Sequence, residues 1–125
     1  STNVILRTAS GRQAIITNSR RATYGYDQRV EVLGSKGLVA LRNTQEANIE
    51  LASADGYRSP PLLNFFMQRY ATAYENEIAA FVASVASGAA VPTTGHDGMM
   101  ALALADAAVK SAAEGCAVTV SEVMS

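Results

Sequence analysis

The sequence predicts an α+β domain, an open and mostly antiparallel sheet with two helices packed on one of its faces. Three observations carry this fold class. Apolar and polar residues alternate in short runs through residues 3–51, the apolar spacing changes to three and four from Leu62 onward, and Gly or Pro marks each change. A chain of 125 residues, 49% hydrophobic and 17% charged, suits one domain, residues 1–125, with a core of its own.

In chain order, Val4 and Leu6, then Val30 and Val32, then Ala47, Ile49 and Leu51 alternate against Arg7, Arg29, Glu31, Asn48 and Glu50. Ser10-Gly11 reads as a hairpin turn, and Gly34-Ser35-Lys36-Gly37 separates residues 30–33 from the apolar run 38–41, so about five short antiparallel strands are expected. Strand character ends over residues 53–61, where Asp55-Gly56 and Pro60-Pro61 place Pro61 near the start of a helix. Residues 62–87 carry Phe66, Tyr70, Tyr74, Ile78, Phe81 and Val85 on one stripe, a long helix whose apolar face covers the sheet. Gly88 to Gly95, with Pro92, interrupts that pattern. Thr94 and Asp97 then form a capping box for a second helix that ends near Gly115. Its face of Met99, Leu102, Ala103, Asp106, Val109 and Ala113 is mostly small and suits close helix approach. A short strand over residues 117–120 closes the chain. Ile5, Ile16, Val39 and Leu41 leave the outer sheet face partly apolar, which predicts association through that face.

Composition excludes several function classes. Ten basic and eleven acidic side chains leave a net charge of -1, so no global field draws in nucleic acid or an anionic membrane, and Arg20, Arg21 and Tyr24 alone do not make a nucleic-acid patch. No apolar run approaches the roughly 20 residues of a membrane span. Cys116 is the single cysteine; it excludes an intrachain disulfide, suits a reducing cytoplasmic compartment, and reads as a small packed residue near a strand. The first residues, without an initiator Met or a basic leader, read as a cut end. No G-x-G-x-x-G or Walker-type loop is present, so cofactor binding is not encoded in the chain. His96 stands alone beside Asp97, with no cysteine cluster or second histidine to build a metal site or a triad. Glu75 and Glu77, two apart on a helix, diverge and cannot act as an acid and base pair.

The densest polar stretch is residues 18–29, with Tyr24-Gly25-Tyr26-Asp27 at its centre. Two readings stand open. The tyrosine hydroxyls and Asp27 can orient a hydroxylated ligand, with Gly25 allowing close backbone approach. Alternatively, Tyr24 and Tyr26 lie on one side of an extended segment and pack as core aromatics.

The run of residues 19–37, Ser-Arg-Arg-Ala-Thr-Tyr-Gly-Tyr-Asp-Gln-Arg-Val-Glu-Val-Leu-Gly-Ser-Lys-Gly, resembles the C-terminal domain of inositol 2-dehydrogenase-like members of one oxidoreductase family. That family is the glucose-fructose oxidoreductase, inositol dehydrogenase and rhizopine-catabolism group. Residues 65–70 with 74–78 resemble its long helix, and Asp97-Gly98 with residues 111–115 resembles its closing helix.

The resemblance implies a two-domain dehydrogenase whose N-terminal Rossmann domain, absent from this sequence, holds NAD, with NADP as the alternative. This C-terminal domain would frame a polyol or sugar substrate and assemble a homo-oligomer, a tetramer, through the open sheet face. The catalytic lysine and aspartate-histidine pair of that family precede this segment, so no catalytic residue is expected here and the fragment alone should be inactive. His96 does not match the catalytic histidine, because it falls in the linker before the last helix. The substrate-binding residues carried over are Tyr24, Tyr26 and Asp27, with Tyr26 favoured over Asp27. The rival reading is a stand-alone, non-enzymatic binding or oligomerisation module of the same fold.

Overall fold

Short alternating runs joined by glycine turns become hairpins. In the computed structural model, which describes residues 1–124, the strands are β1 (Thr2–Arg7), β2 (Gln13–Asn18), β3 (Val30–Gly34), β4 (Gly37–Leu41), β5 (Leu51–Ser53) and β6 (Gly56–Arg58). The helices are α1 (Phe66–Ser87) and α2 (Gly95–Glu114), and a single 3₁₀ turn spans Val120–Val123. The α+β class with antiparallel pairing holds. The strands, however, pair as three two-stranded ribbons, β1 with β2, β3 with β4, and β5 with β6. Between the ribbons the backbone is committed to turns and to cross-links described below.

Ser35-Lys36 turns β3 into β4, with Val32 opposite Val39 and Gly34 opposite Gly37, whose φ of 139° needs a residue without Cβ. Asp55-Gly56 does not stop strand character; it turns β5 into β6, pairing Ser53 with Gly56 and Leu51 with Arg58. The alternation at Ala47 and Ile49 forms no strand, and β5 begins only at Leu51.

The chain divides into two compact units, one of Ser1–Thr2 with Thr17–Glu75, the other of Asn3–Ile16 with the residues from Asn76 onward. In the first unit, Glu46 N donates to Pro61 O at 3.1 Å, Leu63 N to Thr44 O at 3.0 Å, and Tyr26 N to Leu63 O at 2.9 Å. An antiparallel bridge pairs Gln45 with Leu62. These bonds explain why α1 starts at Phe66 and not at Leu62: residues 61–63 spend their backbone groups on neighbours far along the chain, and a helix cannot use them twice.

In the second unit the capping box at α2 is present as expected. Thr94 N donates to Asp97 Oδ2 at 2.7 Å, and Asp97 N to Thr94 Oγ1 at 3.4 Å. Gly115, left-handed at φ 68°, closes the helix by donating to Ser111 O at 2.9 Å. Ala103 and Ala107, one turn apart on α2, are the buried apolar residues, and Ser84 of α1 is buried beside Ala90, whose carbonyl lies 3.5 Å from its hydroxyl.

The expected strand over residues 117–120 is absent. Thr119 N and the Thr119 hydroxyl both donate to Glu122 Oε1, at 2.8 and 2.6 Å, so the chain winds into the 3₁₀ turn, and Lys110 Nζ lies 3.8 Å from Glu122 Oε2. Cys116 is exposed instead of packed, because it leaves α2 just after the glycine cap, with Sγ 3.8 Å from Glu114 Oε2.

Among the described residues no large side chain is fully buried. Leu33 and Val39 on the β3–β4 ribbon are 82% and 73% exposed, and Val85 of α1 is 65% exposed. The distal part of the α1 stripe therefore finds no cover within its own unit.

The cap gives a direct test. Thr94→Ala is expected to cost about 1 kcal/mol of stability, read as a lowered Tm, while Thr94→Ser recovers most of it.

Candidate functional site

The site is built from the polar stretch ahead of β3. Residues 22–25 form a turn, with Gly25 N 3.3 Å from Ala22 O, and Gly25 has φ 125°. A Cβ at position 25 would lie 2.7 Å from Leu62 Cβ, so only glycine lets this loop rest on residues 61–63. Because the backbone turns here, Tyr24 and Tyr26 do not share a face. They enter separate neighbourhoods.

Tyr24, 58% exposed, donates its hydroxyl to Asp27 Oδ2. Asp27 also receives Arg29 Nε on Oδ1 at 2.8 Å, Arg29 Nη2 on Oδ2 at 2.9 Å, and Asn43 Nδ2 on Oδ1 at 2.7 Å. A carboxylate offers about four lone-pair positions, and four donors fill them. The electrostatics follow. Arg29 first, then Tyr24 and Asn43, hold the Asp27 carboxyl well below the usual carboxylate range. The hydrogen bond to Asp27 is the main cause that raises the Tyr24 phenol, and the same carboxylate raises Arg29. A proton is thus kept on Tyr24, whose oxygen retains acceptor capacity toward solvent.

Tyr26 is half-buried and sets its ring edge-on to Tyr70 of α1, with centroids 5.8 Å apart, and Tyr70 meets Tyr74 in the same manner at 6.4 Å. Burial, then the neighbouring Tyr26 hydroxyl, pushes the Tyr70 phenol up. The Arg69 guanidinium stands 5.7 Å from the Tyr70 ring centroid. Of the three residues singled out in the sequence, Tyr24 and Asp27 are joined directly, and Tyr26 belongs instead to the aromatic row with Tyr70 and Tyr74. Sequence reasoning names Arg29 without a role and misses Asn43 and Tyr70. The one signal for Tyr70 is its spacing of four from Tyr74; Asn43 has none.

His96 lies in the first turn of α2 and not in the linker before it. Among the described residues no group of three or more His, Cys, Asp or Glu is placed to hold a metal. A dinucleotide pyrophosphate needs free amides at a helix N-terminus. At α2 the Asp97 carboxylate puts a negative charge in the first turn, which repels an anionic pyrophosphate, and α1 is entered through Phe65-Phe66-Met67 with no glycine to allow close backbone approach, so the residues present do not fit such a group. A groove of about 240 Å³ lined by Met99, Leu102, Ala103, Asp106, Val123 and Met124 is too apolar for a polyol.

Comparison with known proteins adds independent findings. A family model, oxidoreductase family, C-terminal alpha/beta domain, matches residues 2–120. The chain is 62% identical over 114 residues to inositol 2-dehydrogenase of Rhizobium meliloti strain 1021, covering 91% of this chain and 34% of that protein. It is 45% identical over 121 residues to myo-inositol 2-dehydrogenase of Thermotoga maritima, covering 97% and 36%. A crystal structure of a myo-inositol dehydrogenase from Corynebacterium glutamicum matches with a TM-score of 0.87 at 38% identity, over 91% of this chain and 34% of that one. The chain spans about a third of the length of the curated relatives it matches.

The carboxylate cluster sets an expected pH response. The folded Asp27 pKa lies below its unfolded value, so its contribution to stability is present above the unfolded pKa and is lost as pH falls through the folded one. Asp27→Asn is expected to lower Tm at neutral pH and to flatten the fall in Tm below about pH 4. Gly25→Ala, which forces a Cβ against Leu62, is expected to destabilise by more than about 1 kcal/mol, checked by denaturant midpoint.

Proposed function

Since the chain belongs to the oxidoreductase family whose C-terminal α/β domain matches residues 2–120, we propose that it is the substrate-side and oligomerisation domain of an NAD-dependent enzyme that oxidises myo-inositol or a related polyol at a secondary hydroxyl. The observation that carries the substrate class is the 62% identity to the Rhizobium meliloti inositol 2-dehydrogenase across 91% of this chain.

Oxidising a secondary alcohol sends a hydride to the nicotinamide and a proton to a base. Neither the NAD site nor the base is assigned to this chain; both belong to a Rossmann domain and a connecting segment outside it, with NADP as the alternative coenzyme. The residues here bind and orient. The Tyr24 oxygen, its proton directed to Asp27, accepts a hydrogen bond from a polyol hydroxyl, and Tyr26 borders the ring. Asp27, its acceptor positions filled, acts by holding Tyr24 and Arg29 in place.

Assembly as a homo-oligomer, a tetramer through the sheet face, is supported by the exposed Val32, Val39 and Leu41, which share one face of the β3–β4 ribbon. Cytoplasmic operation accompanies this reading. Among the described residues no helix is long and apolar enough to cross a membrane.

The test is NADH formation by the full-length protein supplied with NAD and myo-inositol or related polyols. Turnover with myo-inositol is expected; a folded protein that turns over no polyol with either coenzyme would refute the function. Tyr26→Phe is expected to raise KM about tenfold with Tm nearly unchanged, and unchanged kinetics with a large fall in Tm would make Tyr26 purely a packing residue.

A further inference from the structure

We propose that Asn43 is a positioning residue for the polyol, acting on the Tyr24 hydroxyl through Asp27; this rests on the function proposed above. Asn43 follows β4 and lies 16 residues beyond Asp27, yet both ends of its half-buried amide are engaged there. Oδ1 accepts from Gln28 N at 2.8 Å, and Nδ2 donates to Asp27 Oδ1 at 2.7 Å. Only one orientation of the amide satisfies both partners, because the Gln28 N–H requires an acceptor and the Asp27 carboxylate requires a donor.

The consequence is a relay of position. Arg29 grips Asp27 from within the same loop, two residues away, and moves with it. Asn43 alone among the four donors belongs to a separate segment, so it anchors the carboxylate to the end of the β3–β4 ribbon. With Asp27 anchored, the Tyr24 hydroxyl has one preferred direction for its proton, and its acceptor lone pairs point one way. A substrate hydroxyl then meets a pre-set acceptor rather than a rotor.

The full-length enzyme with myo-inositol and NAD tests this through two isosteric or smaller variants. Asn43→Leu and Asn43→Ala both remove the donor to Asp27 and the acceptor for Gln28 N without adding charge, the first keeping the volume of the side chain. Each is expected to raise KM about tenfold with kcat within about twofold of the parent. A second readout does not depend on turnover. In Cζ-labelled tyrosine NMR, with the Tyr24 signal assigned by its loss in Tyr24→Phe, the Tyr24 titration should move down in both variants as the bond to Asp27 that chiefly raises it is loosened. Parental KM and an unmoved Tyr24 titration in Asn43→Leu would overturn the proposal and leave Asn43 a tether for Gln28. If Asn43→Ala does not fold, Asn43→Leu decides alone. If the parent enzyme turns over no polyol, the substrate part falls with the proposed function, and an unmoved titration would then overturn the coupling as well.

Discussion

The interaction on which the first unit depends is the backbone stitching of residues 61–63 between residues 44–46 and Tyr26. Three amide-to-carbonyl bonds of 2.9–3.1 Å hold it, and Gly25 makes it possible by leaving room for Leu62. From this follow the start of α1 at Phe66, the placement of Tyr70 against Tyr26, and the arrest of the loop that carries Tyr24 and Asp27. Backbone groups withdrawn from water must find partners, so a segment fixed at both amide and carbonyl has little freedom left.

Within that frame, Asp27 gives the loop a defined surface. Its partner Arg29 is largely exposed, so the ion pair contributes modestly to stability, as pairs open to solvent on one side do. Its larger effect is geometric. Four donors converge on two oxygens, and their directions fix the side chains of Tyr24, Arg29 and Asn43 relative to one another. On the function proposed above, a neutral polyol presents no charge to grip, so orientation of hydroxyl acceptors is the resource such a surface can offer.

Apolar side chains left open on the β3–β4 ribbon and along α1 fit a chain that spans about a third of its relatives' length. A protein of this size ordinarily buries several large aliphatic residues completely, whereas among the described residues the buried apolar ones are two alanines.

The sequence by itself determined the features that depend on neighbours a few residues apart. The Thr94–Asp97 box and the Gly115 cap bound α2, glycine turns set the β3–β4 hairpin, and the resemblance of residues 19–37 identified the family. Only the tertiary structure decided what depends on segments meeting across the chain. The division of the strands into three ribbons, the late start of α1, the separation of Tyr24 from Tyr26, and the reach of Asn43 to Asp27 all belong to this second class. The tail differs from its strand-like composition for a related reason: the Thr119–Glu122 bonds wind residues 120–123 into a turn instead. Caps and tight turns are satisfied by local hydrogen bonds that any copy of the same short segment can form. Cross-chain pairing is selected by which donors and acceptors remain unpaired once the chain has closed on itself, and that competition is not written in any one segment.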